Sequence, residues 1–369
     1  MKSASILIKP ASGLCNLNCK YCFYKDEMSN RKTNSYGFIN KTTTSNILDK
    51  FLNIKDLTNL TIAFQGGEPT LIGLDYYKEF VKLAKEKNIN NVNIYYTIQT
   101  NATLLNEEFA KFFSENNFLV GVSLDGIKNT NDLYRIDNNN KPVYDSILNG
   151  INLLKKYNVS FNILTVITKD VSKNINTIYK FYKDNNFKYT QYIPVLNKFN
   201  NSMCSYSLTP HDYTIFLQKL FDLYYKDIIN NNYVYNRYFE NLICLILNIN
   251  PEDCSLNGHC SIQFVIEANG NVYPCDFYCL DKYLLGNINT NTVEELLKEK
   301  AIDFIKESSN LNTKCTTCKY FKLCRSGCKR YKDGINRNYY CSSFIKFFDM
   351  NLDRLIELSR ILPQIKRNV

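Results

Sequence analysis

The chain has 369 residues, among them 14 Cys, 2 His and no Trp, and a formal net charge of +10. Its 45% hydrophobic and 22% charged residues describe a globular protein with room for a large core, which excludes a short disulfide scaffold. Two histidines exclude histidine-rich metal sites, so the cysteines point to thiolate chemistry, either zinc or iron–sulfur clusters.

The first apolar run, Ile6-Leu7-Ile8, is interrupted by Lys9 and Pro10 and is too short for a signal-peptide core. No stretch approaches the length of a membrane helix, so a cytoplasmic protein is expected, in a compartment that keeps thiols reduced. The basic residues recur along the chain in pairs such as Lys155–Lys156, as on a solvated surface; docking of an acidic electron carrier or peptide is the second reading. No basic stripe or nucleic-acid module is evident, and neither nucleic acid nor membrane is expected as a partner.

Strands are predicted over residues 5–8, 60–64, 93–98, 119–123, 161–167 and 190–193, with helices between them near 46–52, 76–87, 107–114, 144–157 and 174–185. Such alternation implies βαβ units and a six-stranded parallel sheet, either open or an incomplete barrel. A cysteine loop, Gly66-Gly67-Glu68-Pro69, Gln99-Thr100-Asn101 and Ser123-Leu124-Asp125-Gly126 each follow a strand, at the rim where parallel sheets hold ligands. Beyond residue 205 come helices near 212–229 and 237–247, then a β-hairpin over 263–267 and 271–275 turning at Asn269-Gly270. A helix near 293–307, a cysteine-rich loop and a last helix near 344–361 follow, giving three parts: 1–205, a connector at 206–253, and 254–369.

Cys15, Cys19 and Cys22 form a C-x3-C-x2-C loop. Three thiolates suit three irons of a cubane with the fourth iron open to a ligand, whereas a zinc knuckle would need a distant fourth cysteine. This loop, with Tyr21 before its last cysteine and a strand before its first, resembles the radical S-adenosylmethionine (SAM) superfamily, and Gly66-Gly67-Glu68-Pro69 is similar to that family's "GGE" motif. The resemblance implies a partial (β/α)6 barrel, SAM chelated at the open iron, and its cleavage to a 5′-deoxyadenosyl radical. It also implies that Tyr21 and Gly67 contact SAM, that Ser123 and Arg135 hold its ribose and carboxylate, and that Leu196 faces the adenine. Outside that context Ser123 reads as a cap or turn, Arg135 as a surface ion pair and Leu196 as core.

Toward the C-terminus stand Cys260, Cys275, Cys315, Cys318, Cys324, Cys328 and Cys341, with Cys254 just upstream. The pattern resembles the SPASM domain, a small cysteine-rich domain with a hairpin and helices that carries auxiliary [4Fe–4S] clusters; two four-cysteine zinc ribbons are the alternative. The resemblance implies one cluster on Cys254, Cys260, Cys275 and Cys328 and another on Cys315, Cys318, Cys324 and Cys341, three [4Fe–4S] clusters in all. Cys204 and Cys244 are left over as free thiols, and Cys279, three residues after Asp276, as a buried free thiol, a place near the site being its second reading.

Ile8-Lys9-Pro10-Ala11-Ser12, Cys19-Lys20-Tyr21-Cys22-Phe23-Tyr24, Phe64-Gln65-Gly66-Gly67-Glu68-Pro69-Thr70 and Val272-Tyr273-Pro274-Cys275-Asp276-Phe277-Tyr278 look like the anaerobic sulfatase-maturating enzymes. That family oxidises a Cys or Ser of an unfolded sulfatase segment to Cα-formylglycine, which implies a sulfatase or sulfatase-derived peptide as partner and a flavodoxin or ferredoxin as electron donor. The resemblance makes Asp276 the base that takes the side-chain proton; a hairpin cap is the alternative. Gln65 and Tyr24 are candidates for gripping the substrate backbone. Another SPASM peptide maturase, or a zinc-ribbon binding protein without radical chemistry, are the competing functions.

Overall fold

The structure, a computed structural model, describes residues 2–200 and 202–366. Among them ten strands are found: β1 (Ser3–Ile8), β2 (Asn59–Phe64), β3 (Asn93–Thr100), β4 (Leu119–Ser123), β5 (Phe161–Ile167), β6 (Tyr189–Pro194), β7 (Tyr235–Asn236), β8 (Val265–Ile266), β9 (Asn271–Tyr273) and β10 (Gly286–Asn287). The chain forms two compact units that interleave in sequence: Met1–Ser123, Arg135–Phe161 and Ser261–Phe304 make the first, and Leu124–Tyr134, Asn162–Cys260 and Ile305–Val369 the second.

In the first unit the strand order is β10-β9-β8-β1-β2-β3-β4. β1, β2, β3 and β4 pair in parallel, with Ser3 opposite Asn59 and Ile8 opposite Phe64. The alternation of β2, in which Leu60, Ile62 and Phe64 are buried, shows why these residues form strands: every second side chain reaches the core. Phe64 meets Tyr77 and Phe80 edge-on, at 5.1 and 5.0 Å between ring centroids, and Tyr96 stacks on Phe118 at 5.0 Å. Aromatic pairs thus supply bulk to a core without tryptophan. The covering helices start where side chains accept their first free amides: Asn40 takes that of Thr43, and Asn106 that of Phe109.

The expected hairpin is present, but it is not a separate element. β8 lies parallel to β1, with Leu7 opposite Val265 and Ile8 opposite Ile266, and antiparallel to β9. The C-terminal hairpin therefore extends the N-terminal sheet on the outer side of β1 and makes it mixed. Gly270 turns the hairpin in the left-handed region at φ +88°, where any added Cβ would also strike Asn289 and Asn287.

In the second unit β5 and β6 are parallel, as are β6 and β7. Pro210–Ile229 begins with a capping box, Thr209 and Asp212 satisfying each other's backbone amides, and with Pro210 in its first turn. This helix packs on Cys341–Lys366 through Phe221 and Phe347, 5.3 Å apart, and a hydrogen bond from Asn351 Nδ2 to Gln218 Oε1 of 2.7 Å. The last helix starts three residues before its expected first residue, at Cys341. The helix expected near 293–307 is broken into Val293–Leu296 and Glu299–Ser309, because Leu297 and Lys298 bond carbonyls only three residues back. No described helix is long and apolar enough to cross a membrane.

Candidate active site

β1 ends at Ile8, and the chain then turns into the loop of Cys15, Cys19 and Cys22, all three partly buried. Gly67 N donates to Ser12 O and Glu68 N to Leu14 O, each at 2.8 Å, so the segment after β2 is clamped to the cysteine loop. A Cβ on Gly67 would lie 2.0 Å from the Leu14 carbonyl oxygen. The glycine is thus required by backbone packed on backbone within the protein. Glu68 is buried and accepts four hydrogen bonds, from Thr70 N, Thr70 Oγ1, Thr100 Oγ1 and Asn101 N. Asn101 in turn holds Asn16 at 2.9 Å and faces Cys15 Sγ at 3.9 Å. Burial pushes the Cys15 thiol up to about 12, with Glu68, Cys19 and Cys22 adding to it. The three thiols are near enough to act on one another, and only a positive centre would make them the thiolates that ligation needs.

The 3-10 turn Asp276–Tyr278 follows β9 and brings Asp276 beside the β1 and β2 ends. Its Oδ2 accepts from Tyr24 Oη at 2.6 Å and from Gln65 Nε2 at 2.8 Å. Gln65 Nε2 also reaches Tyr24 Oη at 2.9 Å, which closes a triangle of side chains. The two residues expected to grip substrate hold the carboxylate of Asp276. Its other oxygen, Oδ1, has no hydrogen-bond partner and lies 3.7 Å from Lys9 Nζ. Burial raises the Asp276 carboxyl above its ordinary value, and nearby Lys9 opposes the rise.

Lys9 is 1% exposed and sits at the centre of a charged cluster that motif reading missed. Its Nζ is 3.5 Å from Glu267 Oε1, 3.9 Å from Glu27 Oε2 and 3.5 Å from Cys279 Sγ, and 4.3 Å above the Tyr24 ring. Arg31 adds a second cation, 2.7 Å from Glu267 Oε1. Burial alone would lower the Lys9 ammonium, but Cys279, Glu267, Asp276 and Glu27 outweigh it and hold it charged. Burial lifts Glu27 to about 8, against the pull of Lys9 and with the push of Asp276. Two cations therefore face three carboxylates, one of which keeps its proton at neutral pH. Cys279 is the buried thiol expected of it.

Tyr21 and Arg135 are buried together, with the guanidinium carbon 5.5 Å from the ring centroid. Arg135 is thus no surface residue. Ser123 Oγ accepts from Gln99 Nε2 at 3.1 Å, joining the ends of β4 and β3. Leu196 belongs to the second unit and is buried just past β6.

The remaining cysteines sort by their mutual influence. In the second unit the Cys328 thiol is pushed up to about 12 by burial, with Cys254 and Cys260 adding to it. Cys324 is likewise raised to about 12 by burial, with Cys341, Cys315 and Cys318 adding to it. Cys275 lies in the first unit, at the end of β9 and next to Asp276. Among the described residues no group of three or more His, Cys, Asp or Glu is set closely enough to enclose one metal ion. Each of these groups offers cysteine thiols alone, the ligand type that iron–sulfur clusters take.

Comparison with known proteins agrees with these features. The Radical SAM superfamily model matches residues 10–182, and the SPASM model, an iron–sulfur cluster-binding domain, matches 254–319. A "Cysteine-type anaerobic sulfatase-maturating enzyme" of Clostridium novyi (strain NT) is 47% identical, over 98% of this chain and 99% of its own length. A "Serine-type anaerobic sulfatase-maturating enzyme" of Bacteroides thetaiotaomicron is 29% identical, over 94% of this chain and 89% of its own length. The solved structure described as "Native anSMEcpe with bound AdoMet and Kp18Cys peptide" superposes with a TM-score of 0.93 at 42% identity, covering 97% of this chain and 99% of that one. The fold is accordingly the radical SAM fold with an unclosed mixed sheet, followed in sequence by a SPASM domain. The chain belongs to the family of anaerobic sulfatase-maturating enzymes, in the radical SAM superfamily.

Proposed function

We propose that the chain oxidises a cysteine of an unfolded sulfatase segment to Cα-formylglycine, with Asp276 as the base. The observation that carries this reading is the Asp276 carboxylate, gripped on one oxygen by Tyr24 and Gln65 and left without a hydrogen-bond partner on the other. A substrate thiol needs an acceptor oxygen for its proton, and a carboxylate held by two donors, with Lys9 Nζ 3.7 Å from its other oxygen, can serve as one. Cysteine is favoured over serine because the cysteine-type relative is 47% identical and the serine-type relative 29%.

Cys15, Cys19 and Cys22 would hold the open cluster, and Tyr21, Gly67, Ser123, Arg135 and Leu196 would bind SAM. Bound SAM supplies, on reduction, a 5′-deoxyadenosyl radical that takes one hydrogen from the substrate Cβ. Asp276 would then accept the thiol proton while an auxiliary cluster would take up the one electron the substrate gives up, and water replaces the sulfur, which leaves as hydrogen sulfide. Cys254, Cys260, Cys275 and Cys328 would hold one auxiliary cluster and Cys315, Cys318, Cys324 and Cys341 the second. Residues 1–205, 206–253 and 254–369 remain the functional division of the chain. A flavodoxin or ferredoxin would supply the reducing electron, in a cytoplasm that keeps thiols reduced.

The test is anaerobic incubation with SAM, reductant and a peptide carrying Cys-x-Pro-x-Arg. Aldehyde formation with loss of sulfur is expected. Asp276→Asn should retain 5′-deoxyadenosine formation while aldehyde falls at least a hundredfold, the usual scale of a lost general base. A thioether crosslink in place of the aldehyde would overturn the reading.

A further inference from the structure

Asn101 directly follows β3 and is buried, with 6% of its surface exposed. Its side-chain oxygen Oδ1 accepts from Thr103 N at 3.0 Å and from Thr103 Oγ1 at 2.6 Å, a turn closed by the asparagine itself. Ala102 permits that turn by taking the left-handed region at φ +61°, a conformation an alanine adopts only where its surroundings enforce it. Two donors on Oδ1 fix the amide, so its NH2 group must point the other way. Asn101 Nδ2 donates to Asn16 Oδ1 at 2.9 Å, and Asn16 Nδ2 donates to Thr103 Oγ1 at 2.8 Å. Donors and acceptors therefore run in a closed ring from Asn101 to Asn16 to Thr103 and back. Neither amide can turn over without breaking the ring.

The other hydrogen of the Asn101 amide is left for Cys15 Sγ, 3.9 Å away. The same sulfur accepts from Leu17 N at 3.3 Å, a donor of its own loop. Asn101 reaches it from a different strand, and its backbone amide is anchored on Glu68 Oε2 at 2.7 Å. All of these residues belong to the first unit. Hydrogen bonds to the sulfur ligands are among the influences that set the reduction potential of an iron–sulfur cluster. An N–H aimed at a ligand sulfur favours the more negative of two redox states, because a donor binds a charged acceptor more strongly. Reduction adds negative charge, so such a donor raises the potential.

We propose that Asn101 is a positioning residue that raises the reduction potential of the cluster on Cys15, Cys19 and Cys22, through an amide N–H held against Cys15 Sγ by the ring with Asn16 and Thr103. The proposal rests on the assignment of those three cysteines to the open cluster. The step it tunes is the transfer of one electron from a reductant, which is oxidised by one, to the cluster, which is reduced by one. No bond forms or breaks.

The test is a potentiometric titration of the full-length reconstituted chain with dithionite under anaerobic conditions, followed by electron paramagnetic resonance. Only the open cluster has an iron free to take a ligand, so its signal is the one that changes when SAM is added. That signal should vanish when Cys15, Cys19 and Cys22 are replaced by Ala. Asn101→Leu, similar in volume but without the donor, should make reduction about tenfold less favourable, a fall of about 59 mV for one electron. Thr103→Val keeps the branched shape and opens the ring, and it should lower the potential by less. Asn93→Ala, at the exposed start of the same strand, should leave it at the parent value. In parent protein isotope-labelled at the asparagine side-chain amides, pulsed resonance should show the labelled nitrogen coupled to the reduced open cluster.

A potential in Asn101→Leu equal to that of the parent, or one lowered as much by Asn93→Ala, overturns the proposal. Should Asn101→Leu fail to hold its cluster, the label decides, and no coupling in the parent overturns it. A resonance that survives the loss of Cys15, Cys19 and Cys22, or a parent chain without iron–sulfur absorbance, would overturn the cluster assignment as well. A SAM-responsive signal whose potential ignores Asn101→Leu would overturn the role of Asn101 alone.

Discussion

The Tyr24 hydroxyl donates to Asp276 Oδ2 at 2.6 Å across 252 residues of sequence. The bond ties the cysteine-loop helix Phe23–Ser29 to the turn after β9, so the carboxylate proposed as the base is oriented by the same segment that carries Cys22. Tyr24→Phe removes this donor and leaves Gln65 as the only clamp on that oxygen. Aldehyde formation should fall about tenfold, the rate equivalent of one hydrogen bond to a charged group. 5′-deoxyadenosine formation should continue, and the ratio of the two products is the measurement. Equal loss of both would place Tyr24 in support of the cysteine loop rather than of the base.

Lys9 faces Glu267, Glu27 and Asp276, and its removal leaves the buried Asp276 carboxylate without a cation while Glu267 keeps Arg31. Lys9→Met should destabilise the protein by about 3–5 kcal/mol, the cost of breaking a buried ion pair by deleting one partner. Combining it with Glu267→Gln should recover part of that loss. Anaerobic denaturant unfolding measures both, and a Lys9→Met protein as stable as the parent would refute the role.

The Glu27 carboxyl, ordinarily near 4.5, is raised by burial to about 8. The unfolded chain loses this proton near pH 4.5 and the folded chain keeps it until about 8. Between those values the folded state binds more protons, so stability falls as pH rises through that window. Glu27→Gln keeps the neutral form at every pH. Its melting temperature should decline less than that of the parent between pH 5 and 8, and parallel profiles would refute the shift.

Gly67 leaves no room for a side chain. Gly67→Ala places a Cβ 2.0 Å from the Leu14 carbonyl oxygen, and backbone cannot yield as a flexible side chain would. A loss of about 1–3 kcal/mol is expected from overpacking alone. Because the displaced backbone is that of the cysteine loop, SAM cleavage should fall with stability, as read by 5′-deoxyadenosine yield and by melting.

The proposed division of eleven cysteines among three cubanes sets a metal count. The reconstituted chain should hold about twelve irons, and replacement of Cys15, Cys19 and Cys22 by Ala should leave about eight. Anaerobic iron and sulfide analysis decides this. Zinc in place of iron would end the radical reading.

The six strands of the repeating pattern were legible to within one or two residues, because alternation of buried and exposed positions is written locally. The ladder of β8 on β1 was not, since strands of two residues carry no period. Nor was the charged cluster, whose members meet only through folding: Lys9 and Cys279 are 270 residues apart. Lys9 read as a break in an apolar run and as one member of a family-like phrase, with no partner named, and Glu267 as hairpin. The cysteine spacings were legible as chemistry, while the reason for Gly67 was not, because the atom it must avoid belongs to another loop.

The placement of β8 also orders events in time. β1 needs a neighbour on each side, and the second one is encoded after more than two-thirds of the chain. A nascent protein therefore carries the bare edge of β1 through most of its synthesis, an invitation to mispairing that ends only when Val265–Ile266 arrives. Asp276 travels with that closing strand. Sealing of the sheet edge and delivery of the carboxylate to Tyr24 are thus one event, and a partly made chain has neither.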